Sequence, residues 1–267
     1  MKKLIAASVV IGSVLSLGTG CANEAEEDLA IDEGAVVTEF VTVRGTTYDR
    51  SAPLGNVTIC VHKVLPFDKI EQCVSSLADG SYKIRVPTGT TRELVFTKPG
   101  HSGYNILVRP DGEDFSLYAN LMPDADTDSF ARGHGVRQYD RARGGFGAKF
   151  MSFRDGFPGD NNDFQTGTEG LKGASATITH LDGSPRGPDT SKLYYLDDAF
   201  RIDPNRVQTS SAGYATALND TPGLYLIETK TPKGATCNSR WLPTAGGKVL
   251  SKVRANSTTE FWVRCTQ

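Results

Sequence analysis

From residue 35 onward, the dominant periodicity of this sequence is two. In residues 56–62, Val57, Ile59 and Val61 fall on one side of an extended chain, and Thr58, Cys60 and His62 on the other. In residues 81–86, Tyr82, Ile84 and Val86 alternate with Lys83 and Arg85. In residues 260–265, Phe261, Val263 and Cys265 alternate with Trp262 and Arg264. Alternation rich in β-branched and aromatic residues specifies half-buried strands. Turn clusters interrupt it at residues 49–53, 78–80, 98–100, 182–185 and 231–234, and no stretch sustains a helical stripe of three turns. Many short strands with such punctuation predict an all-β chain of antiparallel sandwiches. Composition agrees: 28 of 267 residues are glycine and the apolar fraction is 38%, which suits a turn-rich globular protein and not a multi-span membrane protein. The net charge of −2 excludes a generally basic nucleic-acid binder.

The chain also repeats itself. Residues 54–61 (LGNVTICV) have a partner in 171–178 (LKGASATI), 76–82 (SLADGSY) in 210–214 (SSAGY), and 94–100 (LVFTKPG) in 226–232 (LIETKTP). Two copies are too few for a solenoid and suit two compact domains of about 100 residues each. The expected organisation is a first β-sandwich over 35–121, a polar linker over 122–143 with a single helical turn around 129–132, and a second β-sandwich over 144–267. The second carries a long insert at 155–170. The order of these motifs resembles the carboxypeptidase regulatory-like, or transthyretin-like, family of Ig-like β-sandwiches. Residues 54–61 and 79–87 (DGSYKIRVP) carry the likeness, and Ala212-Gly213-Tyr214 departs from it by lacking the aspartate. The resemblance covers roughly 36–121 and 140–267, and implies an architecture, not a reaction.

The N-terminus reads as an export signal. Lys2 and Lys3 precede an apolar run over residues 4–17 and the small residues Gly18-Thr19-Gly20. As a helix that run would reach about 21 Å, short of the ~30 Å hydrocarbon core, so residues 1–20 are expected to be a signal peptide. Cys21 follows directly, and the junction resembles that of bacterial lipoproteins, although Gly18 stands where the family has a branched apolar residue. The resemblance implies that Cys21 is the lipidation site, acylated on sulfur and on its new amine, and that the membrane is the partner of that lipid. Ala22 after the cysteine resembles outer-membrane sorting. Ordinary cleavage nearby is the competing reading. Residues 22–34 hold six acids and no Lys or Arg, so residues 21–34 read as a disordered acidic tether.

If Cys21 carries lipid, four cysteines remain: Cys60, Cys73, Cys237 and Cys265. Four allow three pairings; local pairing gives Cys60–Cys73 and Cys237–Cys265, one disulfide in each half. A reduced pair or metal ligation is the rival reading, but the spacing is not that of a zinc cluster and export favours oxidation.

A search for chemistry yields no catalytic residue, no cofactor and no metal site. His62, His101, His134 and His180 stand alone, outside any H-x-x-E or H-E-x-x-H match. Residues 100–104 (GHSGY) miss the nucleophile-elbow pattern, and residues 145–149 (GFGAK) lack the spacing of a phosphate loop. Intradiol dioxygenases use a related sandwich with a His-x-His ligand pair, which this chain lacks. Asp124, Asp126 and Asp128 begin like a calcium loop, but Ser129 and Gly135 stand where glycine and glutamate belong. Asp160 and Asp163 offer oxygen ligands in the insert. Trp241 and Trp262 could stack on sugars, with packing near the second disulfide the competing use.

Three function classes follow. The leading one is a non-catalytic, envelope-anchored binding, adhesion or spacing module whose partner is an envelope protein or a glycan. A carbohydrate-binding module using loop aromatics is the second, marked by an exposed aromatic row. An unrecognised hydrolase or dioxygenase is the third, marked by a polar pocket with several perturbed groups.

Overall fold

The computed structural model describes residues 39–64, 69–110, 112–133, 139–153, 169–187, 193–232, 235–238, 244–245 and 248–266. The signal, Cys21 and the tether therefore lie outside the described residues, as do His134, Asp160, Asp163 and Trp241. The described residues all belong to one compact unit. Among the described residues, no helix is long and apolar enough to cross a membrane.

The chain is all-β, with one helix among the described residues. The first half runs through β1 (Phe40–Asp49), β2 (Ala52–Pro53), β3 (Thr58–Lys63), β4 (Ile70–Ser75), β5 (Ser81–Pro87), β6 (Arg92–Thr97), β7 (Gly103–Val108), β8 (Phe115–Ser116) and β9 (Ala119–Asn120). Helix α1 (Asp124–Gly133) follows. The second half comprises β10 (Gly144–Phe153), β11 (Glu169–Gly170), β12 (Ser175–His180), β13 (Tyr194–Leu196), β14 (Ile202–Asp203), β15 (Tyr214–Asp220), β16 (Gly223–Lys230), β17 (Thr236–Asn238), β18 (Thr244–Ala245), β19 (Lys248–Val253) and β20 (Ser257–Thr266).

Three sheets result among the described residues. A first outer sheet orders β2-β1-β5, with β8 and β9 on β1; a second orders β12-β16-β19-β18. Between them runs one long sheet, β14-β13-β15-β10-β20-β7-β6-β3-β4, with β11 on β10 and β17 on β20. The repeat seen in the sequence reappears as a pairing plan. β1 pairs antiparallel with β5 and parallel with β8; β10 pairs antiparallel with β15 and parallel with β20. Likewise β3-β6-β7 and β12-β16-β19 are antiparallel triplets in matching order.

The halves are not separate sandwiches joined by a linker. β20 pairs parallel with β10 on one side and, through Ser257–Glu260, parallel with β7 on the other. Most pairs are antiparallel, as expected, but the last strand enters between two edges and runs parallel to both. Its two faces serve different cores. Trp262, with Met151 of β10, joins Val43, Ile84, Ile59, Phe96 and other residues of the first core. Phe261 and Val263 point the opposite way, the side on which Phe146 of β10 meets the Tyr225 ring of β16 at 5.1 Å. The outer sheets thus cover opposite faces of the shared one.

Residues 124–133 are a helix, longer than the single turn the sequence suggests. Asp124 and Asp126 lie in its first turn and Arg132 in its last, which suits the helix dipole. Thr127 and Ala131, four residues apart, are buried. The Thr127 hydroxyl lies 2.8 Å from that of Ser102 in the first half, while Ala131 clusters with Tyr139 and Leu218 of the second. The expected linker is a buttress between the halves.

The turns show why the repeat survives. Asp79 Oδ1 accepts the Ser81 amide at 2.9 Å and its hydroxyl at 2.7 Å. The second copy lacks that aspartate in sequence, yet Asp198 Oδ1 accepts the Ser211 amide at 2.9 Å and its hydroxyl at 2.6 Å, from 13 residues upstream. Each turn then needs a left-handed glycine, Gly80 at φ 78° and Gly213 at φ 72°.

Candidate functional site

Most polar residues singled out from the sequence are absorbed by the fold. Cys60 and Cys73 sit opposite each other on β3 and β4 and form a disulfide. Cys265 is also disulfide-bonded. Cys237 is its register partner across β17 and β20, but the Cys237 side chain lies outside the described residues. Asp126 pairs with Arg50, and Asp124 and Asp128 with Arg141, so these three acids serve as ion-pair partners. His62 lies 3.4 Å from Arg254, whose guanidinium holds the buried Glu93 at 2.6 Å. His101 reaches Asp49 at 3.4 Å, and His180 reaches Asp182 at 2.6 Å. Among the described residues no group of three His, Cys, Asp or Glu side chains is placed to hold a metal ion.

The structure instead assembles a site of which sequence reasoning had named only Trp262, on the face of the shared sheet that carries the first core. Strand registers build it in two rows. Tyr214 (β15), Lys149 (β10) and Trp262 (β20) are cross-strand neighbours. Thr216, Gly147 and Glu260 form the next row on the same strands. The Lys149 ammonium lies 5.5 Å from the Tyr214 ring centroid and 5.4 Å from that of Trp262, a cation held between two aromatic faces. Glu260 leans over Gly147, where even a Cβ would approach Glu260 Cγ to 3.1 Å. Its Oε2 accepts the Tyr104 hydroxyl at 2.8 Å and the Trp262 indole N–H at 3.0 Å.

Burial falls away across this surface. Tyr104 and Trp262 are buried, Lys149, Glu260 and Tyr214 half-buried, and Phe200 is 58% exposed. The Phe200 ring meets that of Tyr214 at 5.5 Å, edge to face. Phe200 adopts φ 58°, a left-handed conformation that is costly for a bulky side chain. Asp197 imposes it: its Oδ1 accepts the Ala199 amide at 2.9 Å and the Arg201 amide at 2.8 Å, and its carbonyl accepts the Phe200 amide at 3.0 Å.

The electrostatics are perturbed in opposite directions. Burial pushes the Glu260 carboxyl up, against the pull of its Tyr104 and Trp262 donors and the Lys149 charge. Burial pushes the Lys149 ammonium down, with Glu260 partly restoring it. The Tyr104 phenol is raised well above its usual range by burial and then by the neighbouring carboxylate. Lys149 and Glu260 influence each other through charge, without a hydrogen bond between them. Such paired perturbation in a partly open place marks a functional-site candidate. The signal available in the sequence was one charged residue, Lys149, in the otherwise uncharged β10, and Glu260 next to the aromatic pair Phe261-Trp262 in β20. It becomes informative only once both faces of β10 and β20 are known to be covered.

No family model matches this sequence, and no curated protein sequence matches it. Among solved structures, the chain is similar to the Bacillus anthracis TIE protein at 12% identity and a TM-score of 0.26, over 85% of this chain and 34% of that one. It therefore spans about a third of that protein's length. It is similar to GBS52, a minor pilin of Streptococcus agalactiae, at 10% identity and a TM-score of 0.31, over 85% of this chain and 96% of that one. A third likeness, to 3-chlorocatechol 1,2-dioxygenase from Rhodococcus opacus 1CP, has 12% identity and a TM-score of 0.26 over 32% of this chain and 60% of the enzyme. Likenesses at this level carry no functional inference, and the functional reading rests on the geometry of this chain.

Proposed function

We propose that this chain is a non-catalytic binding module of the bacterial envelope, held at the outer membrane by a lipid on Cys21. The observation that supports it best is the seam. One strand, β20, hydrogen-bonds to both halves, so side chains from both halves are held on one continuous sheet. The Cys60–Cys73 disulfide fits an oxidising compartment. The basic, apolar and small-residue order before Cys21, and the acidic stretch after it, fit an anchor and spacer.

Fractionation of cells making the wild-type chain and Cys21→Ser tests the anchor. The wild type is expected in membranes and released only by detergent, and the variant in the soluble fraction. A wild type that is soluble without detergent overturns the anchor. The non-catalytic part is tested with neutral and acidic oligosaccharides: release of reducing ends by the wild type, lost in Glu260→Gln, overturns it.

A further inference from the structure

We propose that the surface formed by Lys149, Glu260, Tyr214 and Phe200, backed by the buried Trp262, is a binding site for a neutral pyranose ring of a glycan. This inference rests on reading the chain as a binding module and names the site and the ligand class.

Three observations carry it. The first is the charge pattern. Lys149 offers three donors, and its neighbours among the described residues are two ring faces and the charge of Glu260. Glu260 has one oxygen, Oε2, engaged by Tyr104 and Trp262. An anionic ligand group drawn to Lys149 meets Glu260, and a cationic one drawn to Glu260 meets Lys149. A hydroxyl suits both, since one oxygen accepts from the ammonium and donates to the carboxylate. The second observation is the set of rings. Tyr214 and Phe200 stand edge to face beside the charges, with Phe200 largely exposed. An aromatic face next to hydroxyl-binding groups asks for a ligand with one C–H face and hydroxyls at its rim, which is a pyranose. The third is the backbone at Phe200. Asp197 and the turn it closes hold an exposed phenylalanine at φ 58°. Packing gains little from that residue, whereas presentation of its ring would explain why the strain is kept.

The test is calorimetric titration of the full chain, in detergent, with cellotetraose, chitotetraose, maltotetraose and mannotetraose, and with trigalacturonate as the anionic comparison. At least one neutral probe is expected to bind, and more tightly than trigalacturonate. Lys149→Met and Phe200→Gly are each expected to weaken that binding by about tenfold. Phe200→Gly relieves the backbone strain, so its melting temperature should equal or exceed that of the wild type. That separates loss of a contact from loss of the fold. Binding of none of the probes, binding confined to trigalacturonate, or unchanged affinity in both variants overturns the proposal. Failure here with a detergent-released wild type would leave the anchored-module reading standing, whereas a soluble wild type that binds the glycan would remove the anchor alone.

Discussion

The side-chain amide of Asn105 in β7 donates to the Ser257 hydroxyl in β20 at 2.8 Å, in a fully buried setting and across 152 residues of sequence. Ser257 Oγ in turn donates to the Arg254 carbonyl at 3.0 Å, so the bond locks the start of the last strand against the first half. Here two copies of one pairing plan become one body.

Asn105→Ala removes this buried bond and should destabilise the protein by about 1–3 kcal/mol. Because β20 is shared, the loss should lower a single unfolding transition followed by calorimetry. Two resolved transitions, with only one shifted, would show that the halves unfold independently.

Disulfide removal carries the same signature. Replacing Cys60 and Cys73 with serine frees a link across 13 residues and should cost about 3 kcal/mol, again in one transition. Cys237 stands opposite Cys265 across β17 and β20, and we expect these two to be the second pair. Non-reducing peptide mapping checks it; a peptide joining Cys265 to Cys21 would show otherwise.

Gly213 carries two demands at once. It sits at φ 72°, and a Cβ there would collide with the Phe150 carbonyl oxygen. Gly213→Ala should therefore cost about 2–4 kcal/mol, measured by denaturant unfolding. Gly100, at φ 79° but with open space around it, is the control: its alanine variant should cost only about 1 kcal/mol.

The raised carboxyl of Glu260 makes stability depend on pH. Burial is the main cause, and Lys149 on β10, Tyr104 on β7 and Tyr214 on β15 are the titratable groups around it. A carboxyl raised in the fold binds its proton more tightly there than in the unfolded chain. Its contribution is therefore greatest in acid and declines as pH rises from the unfolded value of 4.5 through the higher folded one. Glu260→Gln keeps an acceptor for Tyr104 and Trp262 without the charge. Its melting temperature relative to wild type should climb as pH rises through that window, and a difference that is flat with pH would refute this account.

Much of the architecture was written locally. Alternation at residues 56–62, 81–86 and 260–265 placed β3, β5 and the end of β20, because burying one side of an extended chain needs every second residue to be apolar. The pairing of Cys60 with Cys73 followed from nearness in sequence. The duplicated order of motifs became a duplicated order of strand pairs. The helix at 124–133 was harder to see: its buried face is only Thr127 and Ala131, and its aspartates resemble those of a loop.

Of the candidate site only Trp262 was named from the sequence, and the rest was not legible for a physical reason. Lys149 and Glu260 lie 111 positions apart in the chain, and nothing local in either segment says that β10 and β20 will run side by side and parallel. Nor does alternation say that both faces of β20 will be covered, since Trp262 and Phe261 read the same whether one side meets water or neither does. Local sequence determined which segments are strands, where they turn, and which side of each is apolar. Tertiary structure alone decided which edges meet, because a strand's backbone donors and acceptors carry no address. The partner is chosen by the burial that the whole arrangement allows.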